Sequence, residues 1–326
     1  MQILILTNEV AANASAAEQD VLVQAEAVDS ALRRLGHATR RFSCSLNLER
    51  LRQEICANPP DVVFNLVESL GGSDRLMPLV PMLLESLGIR YTGSSALAIA
   101  RTADKVAAKI ELRNAGLPTP ADFAVNDSSG EMGVQFPARF LIKAVAEHAS
   151  VGIDEASLVN VSNQSELVGA CRSWKNRNGI ACFAEEYIEG REFNLSLIEP
   201  RGDIGGPQVL PPAEIDFSAF PSNQPRIVGY RAKWDEGSFE FQNTPRKFDF
   251  PATEKVLLDE LKSLAIRSWK LFGLRGYARI DFRVDQQNRP WILEINANPC
   301  LSPDAGFAAA LTKANIGYDE AMERVI

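Results

Sequence analysis

One stretch constrains this chain more than any other: Tyr277-Ala278-Arg279-Ile280-Asp281-Phe282-Arg283-Val284, then a turn-rich 286–290, then Trp291-Ile292-Leu293-Glu294-Ile295-Asn296. Successive side chains on a strand point to opposite faces, so Arg279 and Asp281 share one face and Ile280 and Phe282 the other. By the same rule Glu294 and Asn296 share a face, with Leu293 and Ile295 turned away. Two such runs around a turn predict a hairpin. Its apolar face has to be covered, and its polar face can bring Asp281, Glu294 and Asn296 together beside a guanidinium. Oxygen ligands of this kind suit Mg²⁺, which keeps water and shares substrate phosphates. A plain solvated sheet face is the alternative. The ordered turn Asn296-Ala297-Asn298-Pro299, directly after the acidic strand, weighs toward a site.

The rest of the chain reads as alternating elements. Residues 3–7 form a short buried strand, followed by a long helical stretch ending near Gly36. A second strand covers 61–66, and a helix covers 76–87. Strand, helix, strand, helix predicts an α/β unit with a mostly parallel sheet. Nothing there matches G-x-G-x-x-G, so a dinucleotide fold is unsupported. A helix over 105–115 ends at Gly116, and Leu117-Pro118-Thr119-Pro120 makes a rigid break. Strands at 121–125, 140–143 and 181–187 and a helix over 165–177 predict a small α+β unit. The stretch 200–251 holds eight of the chain's 18 prolines, which predicts loops and short edge strands. A helix over 253–272 leads into the hairpin.

Composition narrows the function classes. The 326 residues carry 34 Lys+Arg against 42 Asp+Glu, a formal charge of −8, which argues against nucleic acid or an anionic membrane as the main partner. No segment approaches the roughly 18 apolar residues of a membrane span, and the N-terminus has no basic region of a signal peptide. Five scattered cysteines without a C-x-x-C pair predict reduced thiols and a cytoplasmic location. His37 and His148 stand apart from any Ser or Cys motif, which argues against a hydrolase triad, and no zinc signature is present.

Several single signals remain. Lys105 follows Asp104 at a helix start, and Lys143 closes the apolar run Phe140-Leu141-Ile142. Either lysine can reach a phosphate as a point charge, or can simply snorkel to solvent. The small-residue loop 147–153 can fold main-chain N–H groups over an anion, or be only a turn. Glu185-Glu186-Tyr187-Ile188-Glu189-Gly190-Arg191-Glu192 reads by itself as an exposed hairpin.

In order, these segments resemble the ATP-grasp superfamily, and within it the D-alanine–D-alanine ligases. The likeness runs over nearly the whole chain, through Ala17-Glu18-Gln19-Asp20-Val21, Tyr91-Thr92-Gly93-Ser94, Asp104-Lys105, Gly116-Leu117-Pro118-Thr119-Pro120, Lys143 and Ser150-Val151-Gly152. It continues through Glu185 to Phe193, Lys233-Trp234, Gly276 to Asp281, and Glu294-Ile295-Asn296. The resemblance implies mixed α/β and α+β architecture, an ATP-grasp fold behind an N-terminal α/β domain. It implies substrate, central and C-terminal domains at 1–100, 101–185 and 186–326, with ATP between the last two.

By position, Lys105, Lys143 and Lys233 would meet the ATP phosphates. Tyr187 and Ile188 would meet adenine through the backbone, Glu185 its amino group, and Glu192 the ribose. Asp281, Glu294 and Asn296 would hold two Mg²⁺ ions, with Mn²⁺ as a substitute. Arg279 would stabilise a tetrahedral intermediate, Glu18 would hold the first substrate's ammonium, and Ser150 would lie in the closing loop. The implied reaction joins small amino-acid or amine substrates by way of an acyl phosphate, with a homodimer as an allowed assembly. A nucleotide-binding protein without ligase turnover is the alternative.

The departures from the family pattern are local. The N-terminal glycine pair is replaced by Thr7-Asn8-Glu9, and the His-Gly loop by Val67-Glu68-Ser69. Asn-Thr-Ser-Pro-Gly-Met becomes Asn296-Ala297-Asn298-Pro299-Cys300-Leu301, Trp234 stands for a tyrosine, and Ala305 and Gly306 align with the acceptor-binding serine and leucine. With Asp304 alongside, this predicts an acceptor pocket that repels a free carboxylate.

Overall fold

The computed structural model describes residues 1–124, 134–147, 149–200 and 205–326. Val125 of one expected strand and His148 of the small-residue loop lie outside the described residues, as do 201–204 of the proline-rich stretch.

Three sheets follow one another along the chain. The first is parallel, in the order β2-β1-β3, built from β1 (Gln2–Asn8), α1 (Ala16–Arg34), β2 (Ala38–Cys44), α2 (Leu48–Ala57) and β3 (Val62–Asn65). The apolar pattern does not resolve β2 and α2, because β2 is an edge strand with mostly polar, part-exposed side chains. Three helices follow: α3 (Leu79–Ser86), α4 (Ala96–Ala103) and α5 (Lys105–Asn114). The helix expected over 76–87 starts three residues late. Pro78 sits at its N-cap, because a residue without an N–H fits only where no intrahelical donor is required. Asp104 caps α5 by accepting from the Val106 and Ala107 N–H groups at 3.1 and 3.0 Å, and this fixes where Lys105 emerges.

The second sheet is antiparallel, in the order β4-β7-β5-β6, from β4 (Asp122–Ala124), β5 (Ala138–Ala144), β6 (Leu158–Val161), α6 (Gln164–Asn178) and β7 (Cys182–Glu186). The third contains β8 (Gly190–Ile198), β9 (Gln208–Val209), β10 (Ala213–Ile215), α7 (Tyr230–Trp234), α8 (Phe239–Gln242), β11 (Arg246–Lys247), α9 (Lys255–Phe272), β12 (Tyr277–Asp285) and β13 (Pro290–Asn296). It runs β11-β10-β8-β12-β13 with β9 beside β8, and ends in α10 (Gly306–Lys313) and α11 (Tyr318–Val325).

The hairpin forms as its alternation requires. Arg279 faces Asn296 and Asp281 faces Glu294 across β12 and β13, with an irregularity just after Asp281. On its other side β12 pairs with β8, which sets Asn194 opposite Asp281 and Glu192 opposite Arg283. Directly opposed residues share a face, so all of these line one surface. The reverse face, with Ile280 and Phe282, is buried under Leu261, Leu264 and Ala265 of α9.

Two glycines permit the approaches that bring the layers together. At Gly190 (φ 151°) a Cβ would lie 2.0 Å from the Val284 carbonyl oxygen, and at Gly276 (φ 69°) it would lie 3.0 Å from the Gly93 backbone. The second contact presses the Thr92-Gly93-Ser94 loop of the first sheet onto the start of β12. A single apolar cluster then joins Ile3, Ile5 and Phe64 of the first sheet to Tyr277, Phe307, Leu311 and Met322 of the C-terminal part. No helix among the described residues is long and apolar enough to cross a membrane.

Candidate active site

The polar face of the hairpin carries a linked cluster. Arg279 grips Asp281 with two parallel bonds, Nε to Oδ1 and Nη2 to Oδ2, both 2.8 Å. Asn194 Nδ2 donates to Asp281 Oδ1 at 2.8 Å, and Asn296 Nδ2 to Asp281 Oδ2 at 3.3 Å and to Glu294 Oε1 at 3.2 Å. Burial works against the Arg279 charge, but Asp281 and then Glu294 raise its pKa above the usual value. Two carboxylates and a carboxamide within such reach fit a hard divalent cation whose remaining ligands are water and phosphate oxygens. Among the described residues no three of His, Cys, Asp and Glu form a metal cluster by themselves.

Beside this cluster lies a narrow chamber lined by Lys105, Lys143, Glu185, Tyr187, Ile188, Glu192, Lys233 and Arg283, which opens into a larger one of about 830 Å³. Glu185, read from the sequence as part of an exposed hairpin, is fully enclosed instead. Its carboxylate sits between Lys109 (2.5 Å, side chains 1% and 3% exposed) and Lys143 (2.5 Å). Burial alone would push its pKa up, but Lys109 and Lys143 hold it below the ordinary carboxylate range. Lys109 also donates to Thr119 Oγ1 at 2.6 Å, and Thr119 to the Ile292 carbonyl at 2.8 Å, so Glu185 is tied to β13.

Lys105 donates to the Glu147 carbonyl at 2.7 Å at the other side of the chamber. Burial lowers the pKa of Lys105 and of Lys233, and for Lys233 the Arg279 charge adds to it.

Arg283 organises the segment after β7. It donates to the Ile188 carbonyl (3.0 Å), the Arg226 carbonyl (2.8 Å), Glu192 (3.3 Å) and the Tyr187 hydroxyl (3.2 Å). The Tyr187 N–H is committed to the Arg139 carbonyl at 2.9 Å, and the Tyr187 ring lies between the Arg139 and Arg283 guanidinium groups. Burial raises the Glu192 pKa against the pull of Arg283. Sequence reasoning missed Arg283, although the alternation that pairs Arg279 with Asp281 extends to it. Lys109 carries no such signal, since it is one lysine on a helix whose partner is 76 residues away.

Ser150 and Trp234 help to join the loop at 149–153 to the segment 228–234, which ends in α7. Ser150 donates to the Val228 carbonyl at 3.0 Å, Trp234 Nε1 to the Ala149 carbonyl at 3.2 Å, and the Tyr230 N–H to the Ile153 carbonyl at 3.2 Å. Ala149 and Ser150 take left-handed φ angles of 57° and 60° to allow this. The segment 149–153 thus lies against 228–234 over the cleft.

The larger chamber has an acidic wall and a basic end. Glu18, Asp20, Glu68 and Asp74 line it from the first sheet. Asp304 lies at the far end, but not alone: Arg246 donates to the Asp304 main-chain carbonyl at 3.3 Å, and the Asp304 charge pulls its pKa up. Burial and the Arg279 charge together still lower it. Asp304 is therefore not the sole charge at this end, which Arg246 and Arg279 also line. The sequence shows Arg246 only as one basic residue in a proline-rich stretch.

Comparison with known proteins agrees with this geometry. A family model described as D-ala D-ala ligase C-terminus matches residues 121–326. A D-alanine–D-alanine ligase from Moorella thermoacetica is 32% identical over 89% of this chain and 89% of its own length. One from Synechococcus sp. (strain JA-3-3Ab) is 29% identical over 100% and 93%. The solved structure of the Bacillus anthracis D-alanine–D-alanine ligase complexed with ATP superimposes with a TM-score of 0.73 at 19% identity, covering 100% of this chain and 96% of that one. The chain belongs to the D-alanine–D-alanine ligase family, and with it to the ATP-grasp enzymes that act as ATP-dependent carboxylate–amine ligases.

Proposed function

We propose that the protein activates the carboxylate of an amino acid with MgATP and joins it to an amine, by way of an acyl phosphate. The observation that carries this reading is the Arg279–Asp281–Asn296–Glu294 cluster at the junction of the two chambers. Nucleotide binding alone has no use for a guanidinium facing the larger chamber.

In this reading the narrow chamber holds ATP. Glu185 faces the adenine amino group, main-chain groups at Tyr187 and Ile188 border the ring, and Glu192 takes the ribose. Lys105, Lys143 and Lys233 neutralise phosphate oxygens. Asp281, Glu294 and Asn296 would hold two Mg²⁺, which when bound draw charge from the transferring phosphoryl group. The donor carboxylate oxygen takes the γ-phosphoryl group as ADP leaves. The amine then adds to the carbonyl carbon, phosphate departs, and the amine loses a proton. Arg279 stabilises the oxyanion formed in between. Ser150 and Trp234 hold the loops shut, which keeps water from the acyl phosphate.

Carboxylates of the N-terminal wall face the donor's ammonium, and Arg246 with Arg279 offers the acceptor's carboxylate a seat. D-alanine, the substrate named for the family relatives, is the first donor and acceptor to test. Reduced thiols and ATP dependence favour a cytoplasmic setting. The test is ADP release and amide formation across amino-acid pairs with MgATP. Nucleotide binding without pair-dependent ADP release would instead support the non-turnover reading.

A further inference from the structure

Three of the carboxylates that line the larger chamber, Glu18, Asp20 and Glu68, are not equivalent. By family resemblance Glu18 would hold the donor's ammonium. Here both of its hydrogen bonds fall on Oε2, from the Ser15 N–H at 2.8 Å and the Ser15 hydroxyl at 2.7 Å, in a capping box that closes the first turn of α1. The side chain is exposed to water, which satisfies the other oxygen, whereas Glu68 is half-buried. Asp20 is engaged on both oxygens: the Ser302 hydroxyl donates to Oδ1 at 2.7 Å, the Cys300 thiol to Oδ2 at 2.9 Å, and Gln24 Nε2 to Oδ2 at 3.2 Å. Glu68 receives one side-chain hydrogen bond among the described residues, from Gln24 Nε2 to Oε1 at 2.8 Å, while lining the chamber. Among the described residues its Oε2 has no donor.

The position of Glu68 is fixed from both neighbouring layers. Its N–H donates to Asn8 Oδ1 at 3.3 Å, at the end of β1. The Val67 carbonyl accepts from Asn298 Nδ2 at 3.2 Å, and the Tyr277 hydroxyl holds Asn298 Oδ1 at 2.9 Å. Asn298 follows Asn296 by two residues, so the turn that leaves the acid cluster also carries Glu68. Burial, with the like charges of Asp20 and Asp74, pushes the Glu68 carboxyl up to about 7. Tyr277 and Cys300, the other titratable groups facing it, have pKa values raised by burial and stay neutral at that pH. An unsatisfied carboxylate oxygen in such a place is costly, and an incoming ammonium offsets both the desolvation and the like charges.

We propose that Glu68, rather than Glu18, receives the α-ammonium of the carboxyl-donating amino acid, and so selects an amine-bearing donor. This deepens the ligase reading above and rests on it. It also gives a physical role to the one glutamate in Val67-Glu68-Ser69, where the family's His-Gly loop is missing.

The test is calorimetric binding of D-alanine, L-alanine and glycine to the whole protein holding Mg²⁺ and a non-hydrolysable ATP analogue, with propionate and acetate as the counterparts lacking the amine. Wild type should prefer an amino acid over its counterpart. Glu68→Gln should weaken amino-acid binding about 10- to 100-fold and remove that preference, since a charge-assisted hydrogen bond is lost. Glu18→Gln should change it less than about threefold, and neither variant should alter affinity for the ATP analogue. Glu68→Asp, which keeps the charge, should retain part of the preference, and this arm carries the test if the Gln variant melts early. The inference is overturned if wild type binds none of the three amino acids better than its counterpart, or if Glu18→Gln abolishes the preference while Glu68→Gln keeps it. Glu68-dependent binding without ADP release under any amino-acid pairing leaves this inference standing and brings down the ligase reading.

Discussion

The buried triad of Lys109, Glu185 and Lys143 shows how charge number sets a residue's freedom. One carboxylate needs one counter-charge, so either lysine is surplus, and Lys143 is the one lining the narrow chamber proposed for ATP. If Lys143 turns to a phosphate, Glu185 keeps Lys109 and no uncompensated charge is left. Lys143→Ala should therefore melt within a few degrees of wild type but bind ATP about tenfold or more weakly, with amino-acid affinity little changed. Lys109→Met should cost about 1–3 kcal/mol, because it leaves Thr119 without its buried donor while Lys143 still neutralises Glu185, and should also weaken ATP by holding Lys143 on Glu185. Nucleotide titration and thermal unfolding of both variants check this, and equal behaviour of the two would refute the division of roles. Glu294→Gln should abolish amide formation while leaving the melting curve intact, and full activity in that variant would sink the metal assignment. The Glu68 carboxyl has a pH signature with a definite sign. It is neutral well below about 7 and ionised above, so donor affinity should rise as pH climbs from 5 through 7 and then level off. A profile flat over that range, measured with wild type and absent any difference from Glu68→Gln, would contradict it.

Among the elements, the two loops over the cleft depend on each other's main chain. Three hydrogen bonds join 149–153 to 228–234, and Gly229 lies so close that a Cβ there would sit 2.8 Å from the Ile153 carbonyl oxygen. So few bonds are in keeping with the proposed opening of this segment to admit nucleotide. Trp234→Phe keeps the ring and removes the Nε1–H. It should loosen the closed state by about 1 kcal/mol and raise the ratio of ADP released to amide formed, because water then reaches the acyl phosphate. Measuring both products in one reaction decides it. A ratio unchanged from wild type would mean that the tryptophan bond plays no part in excluding water.

At the scale of the whole molecule, the first sheet and the C-terminal part share one core. Phe307 stands in the middle, 1% exposed, with its ring edge-on to Tyr277 at 5.9 Å and in the same cluster as Ile3 and Phe64. The acidic wall from the first sheet and the basic end from the C-terminal part are therefore held in a fixed relation across the chamber. Phe307→Ala should cost about 3–5 kcal/mol. It should also disturb donor binding more than ATP binding, because ATP is expected between the other two sheets. Denaturant titration together with the two binding constants checks this. A stability loss with both affinities unchanged would show the chamber to be independent of the shared core.

Local periodicity was enough to reveal the hairpin of β12 and β13. A pleat alternates faces every residue, so Arg279, Asp281, Glu294 and Asn296 declare their common face without any knowledge of the rest of the fold. The parallel first sheet was legible for β1 and β3, whose apolar runs are buried, and illegible for β2, whose polar edge follows no apolar pattern. Glu185 reads as exposed in its own segment, because the two lysines that enclose it come from α5 and β5. Arg246 and Asp304 are 58 residues apart, and Glu68 and Asp20 are brought together only by the packing of β1, α1 and the turn after β13. Strand alternation is a property of neighbouring residues, and so the sequence alone determined the face that carries Arg279, Asp281, Glu294 and Asn296. Burial and charge pairing depend on which distant segments meet, and only the tertiary structure decided which carboxylates are enclosed and which groups pair with them.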